Sequence, residues 1–353
     1  MDILVLPGDD IGPEITGATL QVLKAADDIF SLGIQFETVE VGMARHAKEG
    51  TTLPLSVVEM ARKADGLMLG PAGMTAYPPA SEGGINVPGT IRKSLDLYAN
   101  IRPAKARGCI ATARTGLDCV IVRENTEGFY SDRNMFQGSG EFMPTPDCAL
   151  SVRKITRQAS RRIAEVAFAY AEKRHRSVTS VGKRHVLQVS DGLFMGEAEA
   201  VAARNSQTAY REIDVDAAAA LLYSSPEAFD VILVSNMFGD ILSNLAAALS
   251  GGLGLAASLN AGDTNAAANA GHGSAPDIAG RNIANPAGLM ISAAMLLDWL
   301  GNRAQRPAFG DASRALLDAV ETALANPYSR TRDLGGSGTT DQFAAGVINT
   351  LRQ

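Results

Sequence analysis

The sequence predicts an α/β protein of two domains, with a large and mostly parallel central sheet. Short apolar runs recur as strands with helical patterns between them, the order of a parallel sheet covered by crossover helices. The chain has 353 residues, more than the roughly 250–300 that one hydrophobic core serves. Apolar residues make up 46% and charged residues 20%, the balance of an ordinary globular protein.

The elements follow in order. DILVLP (2–7) is strand-like and leads through GDDIGPE into the helix ITGATLQVLKAADDIF (15–30), with apolar residues near i, i+3 and i+4. IQFETVEV (34–41) reads as a strand, PLSVVEMARKA (54–64) as a helix and GLMLG (66–70) as a strand. CVIVRE (119–124) is a further strand and TRQASRRIAEVAFAYAEKR (156–174) a long amphipathic helix. SVTSVGK (177–183) and FDVILVS (229–235) complete the strands, and ILSNLAAALS (241–250) is helical. The Gly/Pro-rich segments 70–89 and 263–288 read as long loops, which in a chain this size favour ligand binding. Residues 135–151 are polar and turn-rich, and resemble a protruding arm.

The formal charge of −6 argues against a nucleic-acid partner. The basic clusters RQASRR (157–162) and KRHRS (173–177) fall on helical segments and read as solvated faces. Cys109, Cys119 and Cys148 show no C-x-x-C spacing, which suits a reducing cytoplasm without a zinc site or disulfide framework. No signal peptide is visible, and the longest uncharged stretch, 241–262, is too weakly apolar for a bilayer. GLGLAA (252–257) matches a dinucleotide fingerprint, but a helix precedes it where a strand is required, so this is not a Rossmann signal.

Several polar residues remain to be placed. In NMFGDILSN (236–244), Asp240 and Asn244 lie four apart near a helix start, on one face. They read either as oxygen ligands of a metal ion or as a helix-start acid and a polar surface residue. Arg92 and Arg102 flank a helix-to-strand passage, and Arg123 ends a strand with Tyr130 in the loop beyond. The planar fork of arginine suits carboxylates, though each alone could be a surface ion pair. Lys183 ends another strand, as a phosphate binder, a general base or a solvated tip.

Together, LPGDDIGPE, LDLYANIRP, VRENTEGFYSD, NMFGDILS, HGSAPDIAGRNIANP and DLGGSGTT resemble the motifs of the isopropylmalate and isocitrate dehydrogenase family. These are metal-dependent β-decarboxylating dehydrogenases, and the motifs stand in the family's order over nearly the whole chain. The resemblance implies a two-domain fold that is not a Rossmann fold. Residues 1–98 with 251–353 would form a discontinuous cofactor domain, and 99–250 a central domain with substrate and metal residues. A homodimer with shared active sites and an intersubunit arm around 131–151 is also implied.

By the same resemblance, Arg92, Arg102 and Arg123 clamp the carboxylates of a 2-hydroxy acid. Tyr130 protonates the carbon left after decarboxylation, and Lys183, donated across the dimer, assists removal of the hydroxyl proton. Asp216, also from the partner, joins Asp240 and Asn244 in holding Mg2+ or Mn2+. Asp277 implies NAD as cofactor, since a carboxylate would repel a 2′-phosphate; His272, Gly273, Ser274, Ala275, Ile278 and Asn285 surround it. Lys183 would need its pKa lowered by burial or nearby positive charge to act as a base at neutral pH.

The sequence departs from the commonest family form at three places. Asp10 stands where glycine is usual, in a turn that aspartate tolerates. Asn244 replaces a second aspartate, which predicts weaker metal binding without loss of the site. The stretch INVPGTI (85–91), over the substrate's C3 substituent, lacks the leucine pair of isopropylmalate enzymes. It also lacks the serine and asparagine of isocitrate enzymes, though Asn86 could bind a polar group. No extra cation appears in 74–91, so 3-isopropylmalate or a related alkyl-malate leads over homoisocitrate, isocitrate and tartrate. A non-catalytic regulatory paralogue is the alternative of another class. Such subunits typically lose the tyrosine, lysine or metal carboxylates; Tyr130, Lys183, Asp216 and Asp240 are all present, and only Asn244 is altered.

Overall fold

The computed structural model describes residues 1–130, 132, 135–174 and 177–353. They divide into two compact units. Met1–Leu97, Arg107–Ala113 and Gly251–Gln353 make the first, and Tyr98–Ala106 with Arg114–Ser250 the second.

The chain opens in the first unit with β1 (Asp2–Leu6), α1 (Gly12–Phe30), β2 (Gln35–Thr38), α2 (Met43–Glu49), α3 (Leu55–Lys63), β3 (Gly66–Leu69) and α4 (Val87–Ser94). The second unit holds β4 (Ala99–Lys105), β5 (Asp118–Glu124), β6 (Glu141–Thr145), β7 (Cys148–Ser151), α5 (Arg157–Arg174), β8 (Ser177–Gly182), α6 (Ser190–Ala202), β9 (Ala209–Asp214), α7 (Val215–Ser224), β10 (Val231–Val234) and α8 (Asn236–Leu249). The chain then returns to the first unit with β11 (Ala257–Ala261), β12 (Ala266–Ala270), α9 (Ala287–Ala304), α10 (Pro307–Ala325) and α11 (Thr340–Leu351).

In the first unit the strands run β2-β1-β3-β12-β11, parallel except for β11 against β12. β12 corrects the sequence reading, which placed the start of 263–288 in a loop, and β11 was not foreseen as a strand. Their sequences, ASLNA and AAANA, have little β-propensity, yet every residue of both strands is buried. Burial and pairing within the sheet override the propensity. The strand expected over 34–41 is also shorter, Gln35–Thr38. GLGLAA follows α8 and precedes β11, the reverse of the order a dinucleotide fingerprint needs.

In the second unit the order is β4-β5-β10-β8-β9, with only β4 antiparallel to its neighbour. β10, VILV, is buried throughout, as a central parallel strand covered on both faces must be. Under α8, Leu242 and Ala246 pack on Ile121, Ile232 and Val234. Burying Leu242 alone is worth about 2 kcal/mol. The register sets Val234 beside both Arg123 and Val181, and Gly182 beside Asp214. The carboxyl ends of β5, β10, β8 and β9 therefore share one edge, where ligands of open α/β sheets bind.

Of the predicted arm, residues 131, 133 and 134 lie outside the described residues. Its described part is the antiparallel pair β6–β7, with Phe136, Phe142, Met143 and Leu150 exposed. His175 and Arg176 of the basic cluster at 173–177 also lie outside the described residues. Among the described residues no helix is long and apolar enough to cross a membrane.

Candidate active site

At the shared edge of the second unit, Arg102, Arg123, Tyr130 and Asp240 come together. Arg123 is the last but one residue of β5 and is 2% exposed. Its Nη1 lies 2.5 Å from Asp240 Oδ1, and its Nη2 donates to the Tyr130 hydroxyl at 2.9 Å. Tyr130 in turn donates to Asp240 Oδ2 at 3.2 Å. Arg102 Nη2 stands 3.5 Å from Asp240 Oδ1. Its Nη1 donates to Ser243 Oγ at 2.9 Å and its Nε to Asn100 Oδ1 at 2.8 Å. Burial, and then the like charge of Arg123, push the Arg102 guanidinium down to about 10, against the pull of Asp240. Two guanidiniums thus sit around one carboxylate and one phenol, a constellation made for anionic substrates.

Local sequence builds this cluster. α8 starts at the end of β10, which brings Asp240 onto Arg123. The approach needs Gly239, because a Cβ there would meet Arg123 Cγ at 2.6 Å and Val234 Cγ1 at 2.9 Å. Asn236, which the sequence reading left without a role, accepts from Arg123 Nε and Nη2 at its side-chain oxygen (3.1 and 2.7 Å). Its side-chain nitrogen donates to the Glu127 carbonyl at 2.9 Å. No spacing in the sequence announces that role. Asn244, one turn beyond Asp240, is exposed.

Lys183 and Asp216 form a second group at the same edge of this unit. Lys183 Nζ donates to Asp216 Oδ1 at 2.5 Å and Asp214 Oδ2 at 3.1 Å. The hydrogen bond to Asp216 raises the pKa of Lys183, aided by Asp214, and holds Asp216 below the usual carboxylate range. The lowered pKa that a base role at neutral pH would require is not present in this arrangement. The neighbours of Lys183 are carboxylates, and they favour its charged form.

The remaining candidates lie in the first unit. Arg92, on α4, donates to Asn269 Oδ1 at 3.1 Å, and Asn269 donates to the Leu69 carbonyl. Asn86 caps α4 by accepting from the Gly89 N–H at 2.8 Å. Val87 is fully buried in this unit's core. Val87 therefore serves packing, and the exposed edge of this stretch is carried by Ile85, Pro88 and Thr90, which are half-buried.

The 272–285 loop is held from both ends. Ser274 is buried, and its carbonyl accepts from the Ile11 N–H at 3.1 Å. Asp10 beside it adopts φ 53°, and Ala275 φ 44°, both left-handed. Asn285 is buried, donates to Asp333 Oδ2 at 2.9 Å and accepts from the Ala287 N–H. Gly273 and Asp277 are exposed and Ile278 is half-buried. The buried Nε2 of His272 has no hydrogen-bond partner among the described residues. Burial lowers that ring's pKa, which disfavours its charged form.

These groups fit what the resemblance implies. An orphaned imidazole nitrogen and, five residues on, an exposed carboxylate suit a ligand with ring nitrogens and hydroxyls, such as an adenosine. Asp240 and Asn244 offer hard oxygens, the donors Mg2+ and Mn2+ prefer. Among the described residues no group of three or more His, Cys, Asp or Glu could hold a metal ion.

The family model for isocitrate/isopropylmalate dehydrogenase matches residues 2–347. A 3-isopropylmalate dehydrogenase from Sulfurisphaera tokodaii is 37% identical over 349 residues, covering 99% of this chain and 98% of the relative. An isocitrate/homoisocitrate dehydrogenase from Thermus thermophilus is 40% identical over 352 residues, with 99% and 98% covered. The crystal structure of isocitrate dehydrogenase from Methylococcus capsulatus superposes with a TM-score of 0.88 at 36% identity, over 100% of this chain and 99% of that one.

Proposed function

The chain belongs to the isocitrate/isopropylmalate dehydrogenase family, and from that premise we propose an NAD-dependent oxidative decarboxylase of a 3-substituted malate. The observation that carries the reading is the cluster of Arg102, Arg123, Tyr130 and Asp240 at one sheet edge. It offers cations for carboxylates, an acid for carbon and a carboxylate for a divalent ion.

The residues divide the work as follows. Arg102 and Arg123 bind the substrate's carboxylates, and their buried stems fix the donors before substrate arrives; Arg92 is a further candidate for carboxylate binding. Asp240 would hold Mg2+ or Mn2+ with Asn244 and with Asp216 of a second copy, and the ion would supply charge stabilisation at the C2 oxygen. The 272–285 loop, with Asp277, would hold NAD, and the cofactor would supply a hydride acceptor. Tyr130 delivers a proton to C3 once the carboxylate has left, and Arg123 Nη2 orients its hydroxyl for that transfer. Lys183 takes the hydroxyl proton only after Asp216 and Asp214 find other partners, because both now hold it charged. This is a homodimer reading, supported by the exposed apolar side chains of the arm. Three free cysteines accord with a reducing cytoplasm.

For the substrate, 3-isopropylmalate leads. No Lys or Arg occurs in 74–91, so this segment carries no cation for a third carboxylate. Homoisocitrate and isocitrate are the second reading, favoured by the 40% identical relative. The deciding experiment is NADH formation with Mg2+ or Mn2+ on a panel of isopropylmalate, homoisocitrate, isocitrate, tartrate and malate. The highest kcat/KM on isopropylmalate supports the first reading, and preference for a tricarboxylate moves the assignment to the second. No turnover by the protein alone would favour a regulatory paralogue.

A further inference from the structure

Arg153 lies at the root of the arm, next to the bridge between Gly128 and Lys154. Its side chain is 7% exposed and its Nη1 pairs with Asp191 Oδ1 at 2.6 Å, where Asp191 is 1% exposed. Nη1 also donates to Ser190 Oγ, and Nη2 to Ser235 Oγ, each at 3.0 Å. The guanidinium covers the rings of Phe129 and Phe238, at 5.7 and 5.4 Å. The second oxygen of Asp191 accepts from the Lys183 backbone N–H at 2.7 Å.

These contacts converge on both polar groups of the second unit. Asp191 pins the turn that carries Lys183. Ser235 is the N-cap of α8, the helix that presents Asp240. Phe129 and Phe238 are the chain neighbours of Tyr130 and of the Gly239–Asp240 pair. An apolar pair of similar volume would stabilise the fold as well as this buried ion pair does. What these contacts add is direction, since a guanidinium that donates to Ser190 and Ser235 and lies against the Asp191 carboxylate sets two loops in one geometry.

We propose that Arg153 is a positioning residue, acting through Asp191 and Ser235 to hold the Lys183 turn and the Tyr130–Asp240 cluster in register for catalysis. The inference rests on the functional reading above, in which Lys183, Tyr130 and Asp240 serve the reaction. Neither Arg153 nor Asp191 touches substrate in that reading. A displacement of about an ångström in a catalytic group is enough to cost roughly 100-fold in rate.

The test is a double-mutant cycle on the full-length protein, with folding followed by thermal denaturation. The variants are Arg153→Met, Arg153→Lys, Lys183→Met and the combination of Arg153→Met with Lys183→Met. Arg153→Met paired with Asp191→Asn adds a form with no uncompensated buried charge, which covers the case in which Arg153→Met alone does not fold. We expect the neutral pair to fold and to lose kcat by about 10–100-fold, with KM for NAD within about twofold. Arg153→Lys should recover much of that rate. With Lys183 already Met, removing Arg153 should cost far less than it does in wild type, because part of its effect runs through Lys183. Full multiplication of the two losses, or a folded neutral pair with wild-type kcat, would overturn the proposal. Wild-type turnover that survives Lys183→Met would instead remove the functional reading, and this inference with it.

Discussion

Arg123 Nη1 lies 2.5 Å from Asp240 Oδ1, and the arginine is 2% exposed while the aspartate side chain is 38% exposed. The pair is thus asymmetric. Its cation is fixed inside the second unit by Asn236, and its anion faces outward. Both carboxylate oxygens are engaged, Oδ1 by Arg123 and Oδ2 by the Tyr130 hydroxyl, and the side chain still has a solvent-facing side. The buried guanidinium balances the negative charge that Asp240 brings before any ligand arrives.

That closeness depends on Gly239. Gly239→Ala puts a Cβ 2.6 Å from Arg123 Cγ and 2.9 Å from Val234 Cγ1, and neither neighbour can swing away, since Arg123 is fixed and Val234 lies in the core. The helix gains propensity from alanine, but overpacking outweighs it. We expect a loss of about 1–3 kcal/mol, read as a lower urea midpoint, together with reduced kcat. Unchanged stability and activity would show that α8 can shift away from β5 without cost.

How much of this was legible in the sequence depends on what each residue touches. The strands VILV and CVIVRE were readable because a central parallel strand must be apolar along its length. β11 and β12 were not, because alanine and asparagine earn strand conformation only through burial in the sheet. Asp240 and Arg123 were visible as motif members, yet their grip through Asn236 joins positions 113 apart in the chain. The Lys183–Asp216 pairing was also hidden, and it raises the lysine's pKa, where a base role at neutral pH would need it lowered.

Glu127 makes stability depend on pH. Its carboxylate accepts from the Thr156 N–H and hydroxyl at 2.6 and 2.9 Å, but burial, aided by nearby Glu124, pushes its pKa from 4.5 up to about 7. The folded chain therefore keeps this proton while the unfolded chain has already lost it. Relative to pH below 4.5, the fold loses stability as pH rises towards 7, and the loss is complete above that. Glu127→Gln keeps an acceptor for Thr156 and removes the titration. At pH 8 we expect it to be more stable than wild type by on the order of 1–2 kcal/mol, with solvent screening allowed for, and near parity at pH 4.5. Parallel pH curves for the two proteins would contradict this.

Cofactor preference should follow Asp277. It is exposed in the single turn Pro276–Ile278, close in sequence to the orphaned His272 nitrogen. A carboxylate there accepts from ribose hydroxyls and repels a 2′-phosphate. Asp277→Lys should lower kcat/KM for NAD by about 10-fold or more, the worth of one or two hydrogen bonds to a charged group, and should raise it for NADP. Equal use of both cofactors by the wild-type protein would count against the assignment before any variant is made.

Metal affinity should follow Asn244. It lies one turn beyond Asp240 on the same face of α8 and is exposed. Its amide supplies an oxygen donor or a water anchor, but no charge. Asp240 keeps its negative charge already shared with Arg123 and, at longer range, Arg102, so the local field available to a divalent cation is weak. Asn244→Asp restores one full negative charge within reach of the ion and leaves the guanidinium contacts in place. At an effective dielectric of about 20, one added charge a few ångströms from the cation is worth a few kcal/mol before desolvation, and much less after it. We expect the half-saturating concentration of Mg2+ or Mn2+ in an activity titration to fall by about 3–30-fold. An unchanged titration would mean that position 244 does not reach the ion, and that Asp240 carries this helix's share of the binding alone.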